Sequence, residues 1–138
     1  MVSLWKMTLP GRFSHAYNEA MDMYRKAKLA QELERILDIL IREYQPERVI
    51  LFGSMASGQV NEWSDLDLVV IKETQCPFMG RLKEVALLCR ARVGVDYLVY
   101  RPAEFQAMIA EGNPFVLKDI LQRGKVLYER QPAASVAR

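Results

Sequence analysis

From residue 16 to residue 44 the chain has no glycine or proline, and helix-forming residues dominate. In the second half of this stretch Leu33, Ile36, Leu37, Leu40, Ile41 and Tyr44 recur at helical spacing. The pattern predicts one long helix, or two joined ones, with an apolar stripe. Ser14 is a candidate cap at its start. Pro46 stops it, because the residue before a proline disfavours helical backbone. Arg48–Phe52 then reads as a buried strand that ends at Gly53-Ser54, and Ser54–Ser57 as a short helical turn closed by Gly58. Asp65–Ile71 is a second strand, apolar after its acids. Cys76-Pro77 ends a loop, and Phe78, Leu82, Val85, Ala86 and Cys89 follow at helical spacing. Val95–Tyr100 is a third strand. Pro102 suits the first turn of a helix reaching to Gly112. Asn113-Pro114 opens another helix, Gly124 closes it, and Lys125–Glu129 is a short last strand. The first dozen residues, with Pro10-Gly11, read as a loose arm, and Gln131–Arg138 as a frayed tail. Strands and helices interleave within one small unit, so the fold class is α/β or α+β.

Composition narrows this further. The chain has 138 residues, 51% of them hydrophobic and 26% charged, which fits one domain with its own core and excludes a disordered chain. No apolar run approaches the roughly 20 residues of a membrane-spanning helix. With 19 basic and 17 acidic residues the net charge is +2, so binding of nucleic acid by bulk electrostatics is not expected. The two cysteines, Cys76 and Cys89, are too few for a disulfide scaffold and match no zinc spacing. Both read as structural, in a reducing and therefore cytoplasmic compartment. The first residues show no signal-peptide pattern. His15 is the only histidine, and nothing marks it as a ligand.

The chemistry concentrates in Gly53-Ser54, ten residues, then Asp65-Leu66-Asp67. Strand side chains alternate, so Asp65 and Asp67 share a face while Leu66, Leu68 and Val70 take the other. Adjacent carboxylates repel unless a cation lies between them, and hard oxygen ligands suit Mg²⁺ or Mn²⁺. Asp96 stands one residue into the apolar run Val95–Val99. If that strand lies beside the Asp65 strand, a third carboxylate joins the first two. Three carboxylates with two metal ions make the usual machinery for displacement at phosphorus. Gly53-Ser54, after a strand and before a helical turn, lets a phosphate approach free backbone N–H groups. Taken singly each piece has a bland reading, as a turn, a polar strand start or a strand-end acid. Their order and spacing together argue for the site. Lys72 and Arg101, just past two of the strands, read first as solvated strand ends rather than phosphate contacts.

The stretch Leu51-Phe52-Gly53-Ser54-Met55-Ala56-Ser57-Gly58, with Trp63-Ser64-Asp65-Leu66-Asp67-Leu68-Val69-Val70, resembles the minimal nucleotidyltransferases of the DNA polymerase β superfamily. Val93–Val99 looks like their third-aspartate strand, and Ile120–Tyr128 is similar to the segment that closes their domains. The resemblance covers about residues 30 to 130. It implies a small mixed sheet flanked by helices, here with an N-terminal helical extension. The expected division is 1–29 arm and extension, 30–130 nucleotidyltransferase domain, 131–138 tail. One departure stands out: the family often reads Gly-Ser-x-Ala-Arg-Gly, and Met55 and Ser57 leave this loop without an arginine.

The resemblance implies transfer of AMP from ATP to a hydroxyl, releasing pyrophosphate. Asp65 and Asp67 would hold two Mg²⁺ ions, with Mn²⁺ as the other candidate. Asp96 would complete the site that activates the hydroxyl, and Gly53 and Ser54 would grip the β- and γ-phosphates. Small members of the family resemble the antitoxin half of HEPN/MNT toxin–antitoxin pairs, which implies a HEPN ribonuclease as partner and one of its tyrosines as acceptor. Two other readings stay open: an antitoxin that acts by contact alone, and a transferase for a small molecule. Tyr17, Met21, Met23 and Tyr24 are candidates for self-association or partner docking.

Overall fold

A computed structural model describes residues 11–131. The expected arm up to residue 10 and the tail from residue 132 lie outside the described residues. Helix α1 spans Gly11–Ile39, and Leu40–Tyr44 continue it as a wider π-helical turn. The run is therefore one continuous helix, and it crosses residues 29 and 30 without interruption. Its span includes Ser14, which therefore lies inside it rather than at its start, and Gly11 belongs to helix rather than arm. No residue from 12 onward breaks helical backbone, which lets the first turns propagate back that far. Gln45 stops the helix in left-handed backbone, φ +56°, and its N–H donates to the Leu40 carbonyl at 2.8 Å.

The remaining elements follow the pattern of the sequence closely. They are β1 (Arg48–Phe52), α2 (Ser54–Ser57), β2 (Leu66–Ile71), α3 (Phe78–Cys89), β3 (Val95–Tyr100), α4 (Pro102–Ala110), α5 (Phe115–Gln122) and β4 (Lys125–Glu129). Two differ in detail. Asp65 stands just before β2 rather than in it, and α5 is wound as a π-helix. The Asn113 side-chain oxygen accepts from the Val116 N–H at 3.2 Å, so the expected opening residue does act there.

The strands form one mixed sheet in the order β3-β2-β1-β4. β1 runs antiparallel to β2 and β4, while β2 and β3 are parallel and joined across α3. Alternation divides the sheet into two faces. Leu66, Leu68, Val70, Val49, Leu51 and Val99 pack with Leu29 and Ile36 of α1, with Leu40 and Tyr44 of the turn that continues it, and with Val85 and Cys89 of α3. Val69, Ile71 and Ile50 pack on the other face with Phe105 of α4 and Val116 and Ile120 of α5. Covered on both sides, β2 reads as an apolar run rather than an alternating one.

Two buried charged groups tie the layers together. Arg81 of α3 donates to the Cys76 and Val99 carbonyls at 2.7 and 3.0 Å and to Glu104 of α4 at 2.8 Å. Glu32 of α1 accepts from Arg35 at 2.6 Å and from the Arg92 backbone N–H at 2.6 Å, which fixes the turn leading into β3. Among the described residues no helix is long and apolar enough to cross a membrane.

Candidate active site

The parallel pairing of β2 and β3 decides the site. Its register sets Leu66 opposite Val95 and Asp67 opposite Asp96. Partners in register share a sheet face, so the backbone alone brings these two carboxyls together. Burial pushes the Asp67 carboxyl up to about 6, helped by the charge of Asp96, a hydrogen bond between the two carboxyls and the charge of Asp65. The shift marks a place where a second negative charge is resisted and a cation is favoured.

Asp65 stands next to the pair, on the same face but at the rim, half exposed. The register places Gly94 opposite it, and the Asp65 carboxylate lies flat on that glycine: a Cβ at Gly94 would come within 2.5 Å of Oδ1. Arg25 of α1 reaches the same carboxylate at 3.2 Å and the Ser64 carbonyl at 2.9 Å. The fold thus brings Asp67 and Asp96 together, and turns Asp65 towards a guanidinium. Among the described residues, no group of three His, Cys, Asp or Glu side chains stands ready to hold a metal ion. The donor chemistry nonetheless fits a hard divalent cation, since two carboxylates in register share one repulsive site and a third lies beside them.

Gly53 ends β1 with φ +75° and ψ −156°, backbone open essentially to glycine alone. It is also the residue against which the Asp67 carboxylate packs. A Cβ there would collide with Oδ2 and lie 3.0 Å from Cγ. The glycine of the motif is therefore fixed by a backbone need and by the acid that follows it fourteen positions later. Beyond it, Ala56 and Ser57 donate to the Gly53 carbonyl at 3.1 and 3.0 Å, which starts α2 with the Ser54 and Met55 N–H groups unused by the turn. Ser57, where the family often has arginine, donates its hydroxyl to the Ser54 carbonyl at 3.2 Å and so stabilises its own turn.

Lys72 and Arg101 lie at the opposite end of their strands from the acids. Lys72 donates to the Tyr44 carbonyl at the end of α1, 2.7 Å, and Arg101 to Glu104, 3.2 Å. Sequence reasoning missed Arg25 and Gly94. The spacing of Gly94, two residues before Asp96 as Asp65 is two before Asp67, is the one signal that pointed to the latter.

The model of the family described as Polymerase beta, Nucleotidyltransferase matches residues 34–133. A provisionally named nucleotidyltransferase from Sulfolobus solfataricus shares the fold at a TM-score of 0.57 and 18% identity, over 80% of this chain and 88% of that one. A toxin–antitoxin structure with AMP-PNP matches at a TM-score of 0.46 and 19% identity, over 71% of this chain and 73% of that one. No curated protein matches the chain.

Proposed function

Because the chain belongs to the polymerase β nucleotidyltransferase family, we propose that it transfers AMP from ATP to a hydroxyl, with a tyrosine of a partner HEPN ribonuclease toxin as the acceptor. The observation that carries the transferase reading is the Asp67–Asp96 pair, set opposite each other by strand register, with Asp67 packed against Gly53. Asp65, Asp67 and Asp96 would hold Mg²⁺ or Mn²⁺, which supplies charge neutralisation on the phosphates and acidity to the attacking hydroxyl. Asp96, exposed at the edge of the pair, helps take the proton of that hydroxyl. Gly53 and Ser54 position the β- and γ-phosphates, through a residue without a side chain and a hydroxyl at the start of α2. The HEPN partner and the tyrosine acceptor rest on the resemblance to the antitoxins of HEPN/MNT pairs.

A specific observation supports a second reading. Asp65 is paired with Arg25, and the phosphate loop has no arginine, which suits an antitoxin that neutralises its toxin by contact with the acidic site weakened. The test mixes the protein with a co-encoded HEPN partner, ATP and Mg²⁺ and weighs the partner. A gain of one or more AMP masses, lost in Asp65→Asn/Asp67→Asn, is expected. No gain, with the double variant still silencing the toxin, would replace the transferase reading with the contact one.

A further inference from the structure

The phosphate loop, Gly53 to Gly58, carries no charged side chain. A pocket of about 390 Å³ opens against it, lined by Gly53 and Ser57 of the loop and closed by Phe115, Asp119 and Arg123 of the α5 segment. Among the described residues Arg123 is the only basic side chain in that lining. Phe52, the register partner of Asp67, forms the floor with Phe115 edge-on at 5.5 Å, so the pocket adjoins the carboxylate pair.

The backbone beneath Arg123 is well anchored. Its N–H donates to the Lys118 carbonyl at 3.0 Å, and the next N–H, of Gly124, to the Ile120 carbonyl at 3.1 Å. Gly124 also sits so close to β1 that a Cβ there would lie 3.0 Å from the Leu51 carbonyl. The end of α5 is thus pinned beside the strand that delivers Gly53. The guanidinium itself is not locked. Among the described residues its one ion pair, to Asp119, spans 3.5 Å, with the two side chains 71% and 46% exposed. Such an exposed pair is weak and yields to a stronger anion.

We propose that this pocket is the subsite for the donor's triphosphate, and that Arg123 supplies the guanidinium the loop lacks. The inference rests on the transferase reading above and adds to it a phosphate-binding residue from the far end of the chain. A guanidinium matches phosphate oxygens in pairs of hydrogen bonds, so its place in the chain matters less than its place in space. Asp119 then acts against the ligand: it competes for Arg123 and repels the phosphates. A nucleobase in the same pocket would behave in the opposite way, since Asp119 would accept from its amino group.

The test is calorimetric binding of ATP and of inorganic tripolyphosphate to the full chain with Mg²⁺. Arg123→Ala is expected to weaken both ligands about tenfold, the effect of one charge-assisted contact. Asp119→Asn is expected to tighten both, and Ser57→Arg to restore binding in the Arg123→Ala background. Thermal unfolding should be unchanged in Arg123→Ala, because the side chain is exposed. If the wild type binds ATP and Arg123→Ala binds it equally well, the assignment of Arg123 is overturned while the transferase reading stands. If Arg123→Ala weakens ATP but not tripolyphosphate and Asp119→Asn weakens ATP, the pocket holds the base and the proposal is wrong. If the wild type binds neither ligand, the transferase reading itself fails.

Discussion

Replacing Gly53 by alanine should separate what the backbone needs from what the acid needs. At φ +75° and ψ −156° a Cβ-bearing residue is strained by about 1–3 kcal/mol. The added methyl would also overlap the Asp67 carboxylate and lie 3.3 Å from the Asp67 Cβ. Asp67 must therefore turn away from Asp96, at a further cost of about 1–3 kcal/mol typical of overpacking. Gly58 offers a control. It has φ +84°, and a Cβ there meets nothing within 4 Å. Gly58→Ala carries backbone strain alone, about 1–2 kcal/mol. At roughly 3–5 °C of melting temperature per kcal/mol for a domain of this size, Gly53→Ala should lose about 15 °C and Gly58→Ala about 6 °C. The decisive comparison is AMP transfer measured well below both melting temperatures. Gly53→Ala should lose it by orders of magnitude, and Gly58→Ala should keep most of it. Equal transfer by the two variants would refute the reasoning, because it would mean that the contact between Gly53 and Asp67 does not hold the acid in place.

Two other outcomes follow from the charged groups. Asp67 sits above its ordinary carboxyl range, at about 6, so the metal-free fold loses stability as pH rises from about 4 to about 6. Asp67→Asn should therefore melt higher than the wild type in chelator at neutral pH, although it should abolish transfer; a lower melting temperature would contradict the placement of the carboxyl in a repulsive pair. Glu32 and Glu104 behave in the opposite sense: hydrogen bonds from Arg35 and Arg81, respectively, hold their carboxyls at about 2 instead of about 4.5. Their contribution is complete above about pH 4.5 and lost as pH falls towards about 2. Acid titration of stability in Glu32→Gln and Glu104→Gln should flatten in that window, and an unchanged acid limb would show that these pairs do not support the fold.

Much of the architecture was legible because the sequence punctuates it. Pro46, Gly58, Pro102 and Gly124 stand where elements stop or start, and the runs between them have one clear period. The Gly-Ser and Asp-x-Asp spacing carried the site, and the apolar flanks of Asp96 carried its strand. What stayed hidden depends on distance in the chain. Arg25 reaches Asp65 across 40 positions, from a part of α1 whose sequence shows no continuous apolar stripe to orient it. Leu29 is fully buried, yet it precedes the visible stripe. Met23 and Tyr24, considered for docking, are 74% and 62% exposed. Ser14, a candidate cap by its residue type, lies inside the helix, because a serine is a start signal only where the preceding residues leave the helix. The π winding of α5 has no counterpart in its sequence, since the same apolar positions serve either winding.

The parallel β2–β3 pair also says which changes of length the chain can absorb over evolutionary time. Asp67 and Asp96 face one another by ladder position, and a shift of one residue would send Asp96 to the opposite side of the sheet. Insertions between Lys72 and Pro77, ahead of α3, leave the ladder untouched. A single deletion between Asp96 and Val99, with Val99 held in the core, would erase the pair while every aspartate remained in the sequence. In relatives of this chain, an intact Asp-x-Asp with a slipped third strand would thus be the mark of a domain that has kept its shape and lost its chemistry.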